Sequence, residues 1–312
     1  MKYFIITVDT EGDDLWHYTR GETVTTENTR FIHNFQELCE KYCFKPVYLT
    51  NYEMVKDYRF VDYIKPKMCA GLCEVGLHVH AWNNPPLYEL KGEYNGNPYL
   101  IEYPEKIMRE KLVLTANLIK EMFGIWPVSH RAGRWAMNES YFRILSEIGI
   151  KVDCSYTPHV NWNKSTGTTI PAGPDYRKVY EGLQIIEGVL EVPMSIRKAT
   201  YYKFFQQVQK LQVKSSLRTL KNGYVIWGRP SVCSIEEMKH LTLSISKERH
   251  MPYLEMMIHS SELMPGGSPY FKDTQAIEGL YQQLKVYFDL VSSLGYQGTT
   301  LKNFAETINL CD

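Results

Sequence analysis

Residues 3–8 form an unbroken apolar and β-branched run, the pattern of a strand buried on both faces. Over residues 25–42 the period changes: Phe31, Phe35, Leu38 and Tyr42 recur at three- and four-residue spacing, which predicts a helix. Strand and helix then keep alternating. Residues 46–50 read as a strand, 58–68 as a short helix and 74–80 as a third strand. A long helix is predicted over 104–123, with Pro104 in its first turn and Gly124 ending it. Next come a short strand at 127–130, a helix capped by Asn138 that runs to Ile148 before Gly149, and a strand at 151–156.

This order argues for an α/β chain, parallel strands joined by helical crossovers and a sheet covered on both faces. A barrel and a doubly wound sheet both meet that condition. Regularity breaks over residues 157–190: Asn, Thr, Gly and Pro crowd 161–178, which reads as a long loop or a small inserted hairpin. Beyond it come a strand at 190–196, helical patterns at 202–221 and 234–248, a strand at 253–259, a long helix at 273–294 and a last strand at 298–301. No repeat, low-complexity tract or linker divides the sequence, so residues 1–312 are expected to form a single domain.

Lysine plus arginine equal aspartate plus glutamate at 35 each, so no net field draws the chain toward nucleic acid or an anionic membrane. Composition is silent on local patches. The first residues pass too quickly from apolar to acidic for a signal peptide. No run approaches the ~20 apolar residues of a membrane span. The expectation is a soluble, cytoplasmic protein. The seven cysteines, an odd number spread thinly, do not make a disulfide framework. Cys39/Cys43 and Cys69/Cys73, each four apart, read as small apolar residues on a core face rather than as metal pairs. Trp82, Trp135 and Trp162 fall in predicted loops, where flat apolar faces suit sugar rings.

Active sites of parallel α/β proteins gather at the carboxyl ends of the strands. Four predicted strands end in ionisable residues: Asp9-Thr10-Glu11, His78-Val79-His80, Ser129-His130-Arg131 and His259-Ser260-Ser261-Glu262. Asp9 and Glu11 are two apart and share one side of an extended chain, as do His78 and His80. Asp13 and Asp14 are expected to face solvent. Two imidazoles and one carboxylate leave an open position on a divalent ion, the makeup of a catalytic zinc or similar site. A second carboxylate then takes the proton of the attacking water, and a histidine across the site protonates the leaving group. A lone histidine or acid at a strand end has a plainer structural use, as a cap or a partner for Arg131.

In order and rough spacing, Thr7-Val8-Asp9-Thr10-Glu11-Gly12, Glu74-Val75-Gly76-Leu77-His78, His130-Arg131-Ala132-Gly133-Arg134-Trp135 and Ile258-His259-Ser260-Ser261-Glu262 resemble the motifs of the polysaccharide deacetylases. These form the NodB-homology group, carbohydrate esterase family 4. His78-Val79-His80-Ala81-Trp82, with Asn83-Asn84-Pro85-Pro86 after it, looks closest to the WalW-like branch. The resemblance implies a distorted barrel of the (β/α)7 type, and removal of acetyl or related acyl groups from N-acylated sugars. It implies a divalent cofactor, zinc first, with nickel, cobalt, manganese or iron as other choices. It gives Asp9 the role of base, Arg131 that of the arginine orienting it, and His259 that of general acid. A tetrahedral oxyanion would be held by the ion and a backbone N–H.

Where the family's first motif has a second ligand aspartate, this chain has Thr10, so the ligand passes to Glu11, as in Asp-x-Glu variants. Where the family has its second histidine stands Trp82. The ligands are then Glu11, His78 and His80, with Asp13 or no residue the alternatives for the third. The third motif has Ala132-Gly133 in place of the usual proline. Trp82, Arg134 and Trp135 are the expected substrate contacts. The implied partner is a carbohydrate or N-acylated small molecule. Competing functions are a carbohydrate-binding barrel without catalysis, a relative hydrolysing a small amide or cyclic ureide, and a two-carboxylate glycosidase using Asp9 and Glu262.

Overall fold

The computed structural model describes residues 1–13, 15–16, 22–91, 96–163, 165, 167, 173–248 and 251–308. Asp14 and part of the 161–178 insertion lie outside the described residues. In chain order the strands are β1 (Lys2–Thr10), β2 (Pro46–Thr50), β3 (Glu74–Val79), β4 (Ser129–Ala132), β5 (Val152–Asp153), β6 (Gln184–Ile186), β7 (Val189–Glu191), β8 (Ile196–Lys198), β9 (Val225–Trp227), β10 (Tyr253–His259) and β11 (Tyr296–Thr299). The helices are α1 (Ile32–Lys41), α2 (Tyr52–Val55), α3 (Tyr58–Cys69), α4 (Glu105–Phe123), α5 (Glu139–Glu147), α6 (Thr200–Gln209), α7 (Val213–Asn222), α8 (Ile235–Ile245), α9 (Thr274–Ser293) and α10 (Leu301–Thr307).

The main sheet runs β10-β1-β2-β3-β4-β5-β7-β6, parallel except for the β6–β7 hairpin, with β11 alongside the first half of β1. It is curled, a distorted (β/α) barrel rather than the flat doubly wound alternative. An antiparallel β8–β9 ribbon spans the remaining gap. On one side Met194 donates to the Tyr156 carbonyl at 2.9 Å; on the other, Met257 donates to the Gly228 carbonyl at 2.8 Å. That closure needs glycine at 228, because a Cβ there would meet the Glu255 carbonyl oxygen at 2.2 Å.

The strands are apolar because both faces are covered. In β1 every residue from Phe4 to Thr10 is buried, and α4 turns Met108, Leu112, Ala116, Ile119 and Phe123 inward. Each such large side chain withdrawn from water contributes roughly 1.5–3 kcal/mol. Local caps start the helices: Asn138, as the sequence predicts, accepts from the Tyr141 N–H, and Asp273, which the pattern placed inside its helix, accepts from that of Ala276. Cys39 and Cys73 are buried while Cys43 and Cys69 are exposed, so neither pair presents two sulfurs to one point.

Several boundaries differ from the sequence pattern. The strand expected at 127–130 is Ser129–Ala132, which puts Arg131 inside the sheet opposite His78. The strand expected at 151–156 shrinks to Val152–Asp153; beyond it Tyr156 gives its N–H to the Glu191 side chain at 2.9 Å and its carbonyl to the Met194 N–H. The run at 190–196 divides between β7 and β8, with Pro193, which has no N–H to donate, between them. The pattern at 202–221 is two helices, α6 and α7, broken at Leu211 in the left-handed region (φ 58). Pro104 stands just before α4 as its N-cap rather than in its first turn. The short elements α2, β6, β9 and α10 carried no legible period.

Candidate metal centre

Register decides which strand-end residues meet. Asp9 of β1 pairs opposite His259 of β10, and His78 of β3 opposite Arg131 of β4. Glu11 and His80 are the first residues beyond their strands. Within this ring, Glu11, His78 and His80 bring one ligand atom each to within 4.8 Å of one another, all three buried. Glu11 Oε2 lies 2.9 Å from His80 Nε2 and 3.5 Å from His78 Nε2.

The local chain holds these atoms in place. His78 Nδ1 lies 2.8 Å from the Arg131 carbonyl oxygen, which only accepts, so Nδ1 carries the proton. The lone pair of a neutral His78 Nε2 then faces Glu11, and that atom is buried with no hydrogen-bond partner. An anion and a lone pair in mutual contact fit a cation, and one carboxylate with two imidazoles is a divalent-metal donor set. The Glu11 backbone is pinned from both sides: its N–H donates to Ser260 Oγ at 3.1 Å, and its carbonyl accepts from Asn28 Nδ2 at 2.7 Å. Gly133 makes room for His80, since a Cβ there would lie 2.5 Å from both His80 Cδ2 and the Val79 carbonyl oxygen.

Asp13 is turned away. Its two carboxylate oxygens accept the N–H groups of Glu27 and Asn28 at 2.6 and 2.9 Å, capping a 3-10 turn. Trp82 packs on His80 with ring centroids 4.4 Å apart and lines the same cavity.

Asp9 stands beside the cluster, not in it. Arg131, fully buried, donates to Asp9 Oδ1 at 2.6 Å, to Thr7 Oγ1 at 2.8 Å and to Glu255 Oε1 at 2.5 Å. Burial pushes the Asp9 carboxyl up, but the charges of Arg131, His78 and His259 outweigh it and hold Asp9 below its ordinary value. Burial likewise opposes ionisation of Glu11, and the two imidazoles more than offset it. Glu255 ends differently: burial dominates even beside Arg131 and lifts it to about 7.

Across the opening, His259 Nε2 lies 3.9 Å from Asp9 Oδ2 and 3.8 Å from Glu11 Oε1. Its Nδ1 lies 3.2 Å from Arg229 Nη2, and a guanidinium only donates, so this contact leaves the proton on Nε2, facing the site. Glu262 braces the pair. It accepts from Arg229 at 3.2 Å and from the His259 N–H at 2.9 Å, and these partners overcome burial to bring it down to about 2.

A cavity of about 480 Å³ opens above these groups, within the usual range for small-ligand sites. Trp16, Trp82, Tyr99, Trp135, Trp162 and Tyr270 form its walls. Arg134 and Trp135 both adopt left-handed backbone (φ 56 and 65), each costing about 1–3 kcal/mol unless surroundings hold it. They are held: the Arg134 guanidinium lies 3.9 Å over the Tyr99 ring, and the Trp135 ring lies 4.9 Å from the Arg131 guanidinium.

Sequence reasoning missed Glu255, Thr7, Glu53 and Arg229. A single acid inside Tyr253-Leu254-Glu255-Met256-Met257 was a readable signal, because a lone charge in an apolar strand demands a partner. Glu53, raised to about 7 by burial, accepts from the Gly12 N–H at 2.8 Å behind Glu11. Nothing local marked it.

No family model matches the sequence, and no curated protein matches it. Among solved structures, a candidate polysaccharide deacetylase from Mycobacterium smegmatis aligns over 98% of this chain and 90% of its own, at 12% identity and TM-score 0.51. A branching enzyme from the archaeon Thermococcus kodakaraensis aligns over 98% of this chain and 71% of its own, at 11% identity and TM-score 0.57. A 4-alpha-glucanotransferase from Thermococcus litoralis aligns over 99% of this chain and 39% of its own, at 10% identity and TM-score 0.50. At such identities the likeness is one of fold.

Proposed function

We propose that this chain is a divalent-metal-dependent hydrolase that removes an acyl group, most simply acetyl, from an N-acylated sugar or polysaccharide. The polysaccharide deacetylase motifs, WalW-like in their second element, support that reading, and so does a fold shared with a candidate deacetylase. The observation that carries it is the Glu11–His78–His80 cluster with the orphaned His78 Nε2, at the floor of an aromatic cavity between Asp9 and His259.

Glu11, His78 and His80 would hold the ion, zinc being the first choice for this donor set. When bound, a divalent ion supplies Lewis acidity toward an acyl oxygen and toward water. Asp9, anionic and oriented by Arg131, accepts the proton of the attacking water through Oδ2. His259, in its imidazolium form with Nδ1 facing Glu262 Oε1 at 3.6 Å, delivers the proton on Nε2 to the departing nitrogen as the C–N bond breaks and returns to the neutral imidazole. Trp82, Trp135 and Arg134 flank the cavity, where aromatic faces stack on sugar rings.

The test is acetate release from N-acetylated oligosaccharides by purified protein, with metal content measured alongside. Chelator should abolish release and added metal should restore it. Sugar binding without acetate release, in protein that takes up no metal, would favour the second reading, a non-catalytic carbohydrate-binding barrel; Trp82 at the usual histidine position is what favours it. Hydrolysis of small amides, or ring opening of cyclic ureides, with no acetate released from the oligosaccharides, would reassign the substrate. Two glucan-acting neighbours in fold raise glycosyl transfer, but that chemistry needs a carboxylic acid ready to donate. Glu262 is brought down to about 2 and Asp9 is paired with Arg131, so neither suits that part.

A further inference from the structure

The α6–α7 hairpin, inserted between β8 and β9, presents a face that the rest of the described chain leaves uncovered. Tyr201, Phe205 and Val208 on α6 recur at i, i+4, i+7, and Val213, Leu217 and Leu220 on α7 repeat the same spacing. All six are exposed, Tyr201 by 73%, and between the helices Leu211 is 87% exposed. Such a contiguous apolar stripe on a folded domain marks a binding surface.

The other side of the hairpin is already satisfied. Lys203 pairs with Glu237 at 2.6 Å, Tyr202 stacks on His240 with centroids 3.9 Å apart, and Tyr224 donates to Glu237 at 2.9 Å. The hairpin is therefore docked on α8 through its polar inner face, leaving the apolar stripe outward.

Charge selects the occupant. Residues 200–222 hold five lysine or arginine residues and no aspartate or glutamate, although the whole chain is neutral. Lys214, Arg218 and Lys221 recur at i, i+4, i+7 directly beside the Val213–Leu217–Leu220 stripe, and with Lys210 they are exposed and make no ion pair among the described residues. An outward apolar stripe edged by unpaired cations is the pattern of a helix lying in the plane of an anionic bilayer. Neither helix is long enough to cross one, and no described helix qualifies as a span. From this arrangement we infer that the α6–α7 hairpin docks the protein peripherally on an anionic phospholipid surface, Leu211 and the two stripes entering the headgroup layer and Lys210, Lys214, Arg218 and Lys221 contacting lipid phosphates.

The test uses the full chain and co-sedimentation with vesicles of phosphatidylcholine alone or mixed with phosphatidylglycerol. Binding is expected only to the anionic vesicles and is weakened by salt. Each cation near such a surface is worth about fivefold in affinity, so Lys210→Gln/Lys214→Gln/Arg218→Gln should bind on the order of a hundredfold more weakly. Phe205→Ser/Leu211→Ser/Leu217→Ser should also lose binding. All six substituted positions are exposed, so thermal midpoints should stay unchanged in both variants. Equal sedimentation with both vesicle types, or binding indifferent to both variants, overturns the proposal. So does a wild-type dimer that the serine variant converts to monomer and that anionic vesicles do not dissociate, because the face then belongs to a second copy.

Discussion

Arg131→Met removes one guanidinium that serves two buried carboxylates. In the native chain that group holds Asp9, Glu255 and Thr7 at 2.5–2.8 Å and also donates to the Cys154 carbonyl at 3.2 Å. Breaking a buried pair by deleting one partner costs about 3–5 kcal/mol, since the other charge stays behind uncompensated. The loss should depend on pH in a defined direction. Burial raises Glu255 to about 7 even with Arg131 present, and Arg131 is the strongest of the neighbours pulling it down. Without Arg131 its folded value must climb further, while the unfolded value stays near that of a free carboxyl.

A carboxyl whose folded value is raised binds a proton that the unfolded chain releases, so stability falls as pH rises between the two values. In the wild type that fall ends near 7; in the variant it continues above 7, at up to about 1.4 kcal/mol per pH unit. We expect Arg131→Met to lose about 3–5 kcal/mol at pH 8, a drop in midpoint on the order of 10 °C, and clearly less at pH 5, where Glu255 is protonated. Thermal and urea unfolding in chelator-containing buffer at both pH values measures this. Adding Glu255→Gln should recover part of the loss at pH 8 and little at pH 5. A loss equal at both pH values, or larger in acid, would refute the reasoning.

His78→Ala should lower divalent-metal affinity by more than the roughly 10–100-fold expected of an outer-sphere change, read by equilibrium dialysis; unchanged metal content would remove His78 from the ligand set. His259→Gln should keep full metal content while acetate release falls by about 10²–10⁴, a split a merely structural histidine would not produce. Gly133→Ala should weaken metal binding and cost about 1–3 kcal/mol, because its Cβ would press on backbone as well as on His80; unaltered metal affinity and stability would show that the loop yields. Glu255→Gln alone should flatten the stability profile between pH 4.5 and 7, gaining up to about 3 kcal/mol on the wild type across that window, and an unflattened profile would assign the titration elsewhere.

Much of this protein was legible in one dimension. The alternation of continuous apolar runs with helical-period runs told α/β and parallel, because a strand covered on both faces must be apolar throughout and a crossover helix must carry one apolar stripe. The residues that gather at the candidate site were legible too. Asp9, Glu11, His78, His80 and His259 all sit at strand ends and line the cavity, with Arg131 buried in the sheet behind Asp9. What the sequence could not carry is register. That Asp9 faces His259, that His78 faces Arg131, and that Glu255 lies deep enough to share Arg131 depend on how separate strands slide past one another. That sliding is decided by packing of the whole barrel, not by any local run. The same holds for the third member of the candidate cluster: sequence left Asp13 open, and only the fold turned it onto two backbone N–H groups while bringing His80 to 2.9 Å from Glu11. The hairpin shows the converse. Its period was visible as helix at 202–221, but an amphipathic stripe does not announce whether it is covered, and only the tertiary structure left it facing outward.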